Sequence, residues 1–211
     1  MSLILALFDF CETITNFQTL DRYLPLSGKY NLHYSVENNL IRREKFKKEN
    51  RPYPKYEWLI DLEYLLAKEI AKEFVYNNIL PNINKNIMEK LFWHQDQGHR
   101  IVIVSGGLSI YIEEFAKIYD IKDVVAVDLE ILNGKLTGNI DGIHTMQERK
   151  LYKLIQKINL DKYNLKESYA YSDCSSDIPM LSLVGNPNVV ETTKDLTWAK
   201  ILKYNILNGE L

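Results

Sequence analysis

Leu3-Ile4-Leu5-Ala6-Leu7-Phe8-Asp9-Phe10-Cys11-Glu12-Thr13-Ile14 is the stretch that decides the fold. Six apolar residues run without alternation and stop at a carboxylate. A strand buried on both faces reads this way, whereas a half-exposed strand alternates. Similar runs follow: Ile101 to Val104 ending at Ser105-Gly106-Gly107, Val124 to Val127 ending at Asp128, and Ser168 to Tyr171 ending at Ser172-Asp173. Asn188 to Val190 is a weaker one. Helical spacing recurs between them. Ile110, Ile112, Phe115, Ala116 and Ile118 share a face over Leu108 to Tyr119, and Leu151, Leu154, Ile155 and Ile158 do so over Lys150 to Ile158. Strand alternating with helix predicts an α/β fold built on a doubly wound parallel sheet with right-handed crossovers.

Two segments interrupt this rhythm. Residues 15–81 are too long for a simple crossover and rich in charge, as in Arg42-Arg43-Glu44-Lys45, with Pro52-Tyr53-Pro54 dividing them. Trp58 to Phe74 repeats Leu59, Leu62, Leu65, Leu66, Ile70 and Phe74 at helical spacing, which predicts one helix there and places Trp58 and Phe74 in a core. The expected organisation is a core of residues 1–14 and 82–211 with a helical cap, 15–81, inserted after the first strand. Asn133-Gly134 between Ile131-Leu132 and Lys135-Leu136 predicts a β-hairpin near 131–137.

Composition narrows the function. The 211 residues carry a net charge of −2, which argues against a dedicated nucleic-acid partner. No apolar run approaches the roughly 18 residues needed to cross a bilayer. Asp9 cuts the first apolar run short and no basic region precedes it, which argues against a secretory leader. Two cysteines, Cys11 and Cys174, make no disulfide framework. A cytoplasmic location is expected. Composition leaves the oligomeric state open.

Open parallel sheets bind ligands at the carboxyl ends of their strands. Asp9, Ser105 and Asp173 each follow a predicted strand, so they converge on one rim. Taken singly, each has a plain alternative. Asp9 is a possible turn cap, Ser105-Gly106-Gly107 a common turn, and Asp173 and Asp177 an Asx turn and a helix cap. Lys150, flanked by Arg149 and Lys153, reads singly as a solvated helix residue.

Taken together, these residues resemble a known family. Asp9-Phe10-Cys11-Glu12-Thr13 resembles the Asp-x-Asp-x-Thr first motif of the haloacid-dehalogenase-like superfamily. Ser105-Gly106-Gly107 is similar to its second motif, Lys150 to its third, and Ser172-Asp173-Cys174-Ser175-Ser176-Asp177 to its acidic fourth. Ile178-Pro179-Met180-Leu181 and Val184-Gly185-Asn186-Pro187 resemble the phosphoserine-phosphatase-like branch. The resemblance implies Mg²⁺ held by Asp9, Asp173 and the backbone carbonyl of Cys11, with Asp177 in support. It makes Asp9 the nucleophile of an aspartyl-phosphate intermediate, with phosphate cradled by Ser105, Gly106, Gly107 and Lys150. The expected substrate is a small phosphorylated metabolite.

Cys11 departs from the pattern. The family's second aspartate protonates the leaving group and then activates water, and a thiol replaces it here. Readings of the change include a slower phosphatase, a phosphate-binding pseudoenzyme with a regulatory or scaffolding role, and another transferase or hydrolase of the superfamily. Gln18 falls where phosphoserine phosphatases place a glutamate for the substrate amine. Arg42 and Arg43 offer a carboxylate clamp, with a solvated helix face as the plainer account. Cys11 and Cys174 on neighbouring loops raise a reversible disulfide, with two small buried thiols as the plainer account.

Overall fold

The computed structural model describes residues 3–209; the ends of the expected core span, residues 1, 2, 210 and 211, lie outside them. Among the described residues, strands β1 (Leu5–Phe8), β2 (Arg100–Leu108), β3 (Asp123–Leu132), β4 (Lys135–Asp141), β5 (Tyr169–Ser172), β6 (Asn186–Val190) and β7 (Asn205–Leu207) form one sheet. Their order is β4-β3-β2-β1-β5-β6-β7. Every pairing is parallel except β3 with β4. The chain moves outward from β1 to β4 and then returns to β5 on the other side of β1. That reversal places the switch point of the sheet at the carboxyl end of β1.

The unbroken apolar runs have a simple cause. Along β1 and β2, Ala6, Phe8, Ile101 and Ile103 face one hydrophobic cluster, and Leu5, Leu7, Val102 and Val104 face the other. Helices α1 (Thr19–Tyr30), α2 (Val36–Lys48), α3 (Tyr64–Phe74), α4 (Lys85–Asp96), α5 (Ser109–Ile118), α6 (Arg149–Lys157), α7 (Ile178–Leu181) and α8 (Thr197–Ile201) complete the chain. The first cluster takes α4, α5 and much of the insertion, including Tyr23, Ile70 and Phe74. The second takes Leu154, Met180, Leu181 and Ala199 from α6, α7 and α8. Ile118 and Ile155, expected on the apolar faces, are exposed at helix edges.

The insertion differs from its sequence pattern. Trp58 to Phe74 is not one helix, because Asp61 adopts φ 65 and ends the turn at Glu57–Leu59 before α3 begins. Leu65 and Leu66 are consequently exposed, while Phe74 is buried and Trp58 is half-buried against Tyr34. The intervening backbone pairs with the hairpin instead. Tyr56 donates to the Gly138 carbonyl, Asp61 to Leu136 and Tyr64 to Gly134, while Leu136 donates to Leu62, each at 2.9 Å. The hairpin turn itself sits where expected, with Asn133 at φ 51 and Gly134 at φ 79, both left-handed as a two-residue type I′ loop requires. The short edge strand β7 had no sequence signal comparable to the other strands.

Candidate active site

Register brings the strand ends together. Phe8 pairs with Ile103 on one side and Tyr171 on the other, so Asp9 leaves the sheet between Val104 and Ser172. Its N–H donates the last ladder bond to the Tyr171 carbonyl at 2.9 Å. The chain then turns sharply, with Cys11 extended and Glu12 left-handed at φ 56. Thr15 holds this turn by donating its hydroxyl to the carbonyls of Phe10 and Phe17.

A buried ion cluster joins the three distant segments. The Lys150 ammonium donates to Asp9 Oδ1 at 2.8 Å and to Asp177 Oδ2 at 2.7 Å. Lys150 is 3% exposed. Its neighbours are placed differently: Arg149 is exposed, and Lys153 binds Asp128 and the Ala126 carbonyl. Ser172 donates to the same Asp177 oxygen at 2.6 Å, and Thr13 donates to Asp173 Oδ1 at 3.2 Å. Burial, opposed by Lys150 and reinforced by Asp177 and Asp173, pushes the Asp9 carboxyl up to about 7. Burial alone would lower the Lys150 pKa, but Asp9 and Asp177 outweigh it and hold the ammonium above the usual lysine range.

β2 does not end at Val104 as its apolar run suggested. It continues to Leu108 with a register shift against β3, so Ser105-Gly106-Gly107 lies inside an irregular extension. A side chain at Gly107 would put its Cβ 2.6 Å from the Tyr111 hydroxyl, and one at Gly106 would meet the Thr145 carbonyl at 3.2 Å. A Cβ at Gly107 would force Tyr111 to shift, and one at Gly106 would press on the Thr145 carbonyl. Ser105 is fully buried, and its hydroxyl oxygen accepts from the Gly107 N–H at 3.0 Å. That amide therefore closes a local turn here.

Cys11 sits beside two linked hydroxyls. Its Sγ lies 2.9 Å from the Thr19 hydroxyl, which in turn lies 2.8 Å from the Tyr111 hydroxyl. Burial first, then the Asp9 charge, pushes the thiol up to about 11. Both cysteines are free, and Cys174 Sγ accepts from Ser176 instead.

Further residues reach the rim that sequence patterns missed. Lys194, from the loop after β6, binds Asp173 Oδ2 and Glu12 Oε2, and Gln18 donates to that same Glu12 oxygen. Thr13 stands in a quoted motif, so its bond to Asp173 had a signal; Lys194 had none. Arg42 and Arg43 pair with Asp61 and Glu57, consistent with a structural role on the insertion surface. His94 is buried far from any metal pattern, bonded to the Tyr171 hydroxyl and to His99.

Among the described residues, no three His, Cys, Asp or Glu side chains gather as a metal site by themselves. Yet Asp177 Oδ1 is buried with no hydrogen-bond partner. Burial first, with Asp177 and Asp173 adding to it, also makes the ionised Asp9 carboxylate costly. Such oxygens suit a hard cation that takes one or two carboxylates and keeps several waters. Among the described residues, no helix is long and apolar enough to cross a membrane.

Comparison with known proteins gives the family and the fold. A family model for haloacid dehalogenase-like hydrolases matches residues 6–182. The histidinol-phosphatase of Neisseria meningitidis is 28% identical over 61% of the chain and 60% of that protein. The phosphoserine phosphatase of Lactococcus lactis is 36% identical over 42% of the chain and 41% of its own length. The chain thus spans about half the length of these relatives. A structure of a phospho-aspartyl intermediate analogue of phosphoserine phosphatase superposes with a TM-score of 0.63 at 23% identity, covering 98% of the chain and 93% of its own.

Proposed function

Because the chain belongs to the haloacid dehalogenase-like hydrolases, on their phosphoserine-phosphatase-like branch, we propose that it hydrolyses a small phosphomonoester with Mg²⁺, through Asp9. The observation that carries this reading is the buried bridge of Lys150 between Asp9 and Asp177. It unites the chain just after the first strand with two segments more than 140 residues further on, at the switch point of the sheet, where α/β folds bind ligands.

Phosphate esters resist attack because their oxygens are negative, so a site must supply positive charge and an aligned oxygen nucleophile. Asp9 takes the nucleophile's part, since its Oδ1 is pinned by Lys150 and its backbone by Tyr171. Attack by its carboxylate on phosphorus breaks the ester P–O bond and forms an aspartyl-phosphate, the departing oxygen taking a proton from water to leave as the alcohol. A second water then attacks phosphorus, releasing phosphate and restoring the Asp9 carboxylate. Lys150 offsets the charge that gathers on the phosphoryl oxygens. Ser105 and the amide of Gly106 offer donors to those oxygens. Asp9, Asp173 and the Cys11 carbonyl would hold Mg²⁺ with Asp177 in support, and the ion would neutralise phosphate charge when bound.

Cys11 sets the speed. A thiol held near 11 gives protons poorly to an alcohol and abstracts them poorly from water. Gln18, engaged with Glu12, offers no charge to an ammonium group, which disfavours phosphoserine itself. We take residues 15–81 as the unit that selects the organic part of the substrate, because the core handles only the phosphoryl group.

The test is phosphate release from a panel of small phosphomonoesters with Mg²⁺, alongside single-turnover trapping of an acid-stable, hydroxylamine-labile phosphoryl group. Asp9→Asn should abolish both. Full activity in Asp9→Asn would refute the covalent route. A wild-type protein that binds phosphate but never turns over, while Cys11→Asp does, would establish a binding role instead.

A further inference from the structure

Lys194 belongs to no motif, yet it makes two ion pairs at the rim, with Asp173 Oδ2 and with Glu12 Oε2 at 2.6 Å. Asp173 is 1% exposed, and Thr13 already occupies its other oxygen. Both oxygens of this carboxylate are therefore engaged, one of them by a full positive charge. The two ammonium groups differ in freedom. Lys150 is enclosed and fixed by two carboxylates, whereas the Lys194 side chain is 36% exposed on a loop. Glu12 offers Lys194 somewhere to go. Its backbone is left-handed, and Gln18 donates to the same carboxylate oxygen that Lys194 binds.

We propose that Lys194 is a tethered cation that holds the Asp173 carboxylate in the metal-free protein and must withdraw onto Glu12 for Mg²⁺ to bind, so that it sets metal affinity. The inference rests on the metal reading above. Without Lys194, the carboxylates Asp9, Glu12, Asp173 and Asp177 would face a single remaining ammonium. They would repel one another more when empty and attract a divalent ion more strongly. Lys194 thus lowers the cost of the empty state while weakening metal binding. Gln18 lies near the start of the insertion, so the Glu12 that receives Lys194 is also a carboxylate that ties the insertion to the rim.

The experiment measures Mn²⁺ binding by the free-ion paramagnetic resonance signal, with Mg²⁺ calorimetry in parallel, on wild type, Lys194→Met and Lys194→Arg. Lys194→Met should bind about tenfold tighter or more, as removing a like charge within a few ångströms implies. Lys194→Arg should stay near wild type. Lys194→Met should also melt lower in chelator and recover with saturating Mn²⁺. Equal or weaker metal binding by folded Lys194→Met overturns the proposal. A second measurement uses the wild type alone: acylation of Lys194, mapped by mass, should rise when Mg²⁺ saturates the protein, and unchanged labelling overturns it too. Should wild type bind neither ion, the metal reading itself fails, which is distinct from binding that ignores Lys194.

Discussion

On the proposed mechanism, replacing Cys11 by Asp should raise turnover, and the usual range of general acid–base catalysis sets the scale. With the thiol held near 11, only about one molecule in 10⁴ carries a thiolate at pH 7, from the definition of a pKa. Cys11 is therefore a negligible base and an acid far too weak for its operating pH. A carboxyl at this position would find the Thr19 hydroxyl that now faces Sγ, a donor ready to orient it. General acid–base catalysis contributes about 10²–10⁴-fold, so kcat/KM for an alkyl phosphate should rise by that factor. An aryl phosphate, whose leaving group needs little protonation, should gain less in the first step. The new carboxyl also places a second negative group beside Asp9, and this should lower metal-free stability by about 1–3 kcal/mol, the scale of desolvating a buried polar group. The assay is steady-state hydrolysis of one alkyl and one aryl ester with Mg²⁺, with burst kinetics to separate the steps. A folded Cys11→Asp protein gaining less than about threefold on the alkyl ester, against the expected 10²–10⁴, would refute the reasoning.

Other outcomes follow from the same geometry. Lys150→Met leaves Asp9 and Asp177 without their shared cation; breaking a buried pair from one side costs about 3–5 kcal/mol, readable by denaturant titration in chelator. An unchanged midpoint would mean the cluster is not ionised as described. Gly107→Ala forces a methyl to within 2.6 Å of the Tyr111 hydroxyl and should cost about 1–3 kcal/mol through overpacking, with phosphate affinity falling as well. His94 is pushed down to about 3, chiefly by burial and then by His99. The folded protein therefore binds fewer protons than the unfolded chain between its unfolded value near 6.5 and about 3, so this stability is present above that window and is lost as pH falls through it. The full effect is about 5 kcal/mol, and His94→Gln should flatten the acid limb of a stability-versus-pH curve. A limb unchanged by His94→Gln would remove this residue from the account.

The sequence made the sheet and the rim legible because each buried strand is an unbroken apolar run ended by a polar residue. Asp9 and Asp173 could be placed from that punctuation alone. Lys150 could not be told from Arg149 or Lys153 by periodicity. Only the helix orientation separates them, sending Lys150 inward to Asp9 and Lys153 to Asp128. Lys194 was invisible because a long flexible side chain can reach a site from a loop that carries no pattern of its own. The helix expected from Trp58 failed for another reason. Its apolar spacing is genuine, but Asp61 takes a left-handed turn, and the backbone around it finds hydrogen bonds with Leu136. Tertiary pairing won over local periodicity there.

That pairing has a mechanical consequence. The 56–64 backbone adds itself to the outer side of β4, so the insertion and the hairpin are stitched by main-chain bonds rather than by side-chain packing alone. Uncovering the rim by swinging the insertion outward would tear this seam. The ladder between β3 and β4 is irregular between Leu129 and Ile131, on the inner side of that seam. The same seam shields an otherwise bare sheet edge from pairing with another molecule.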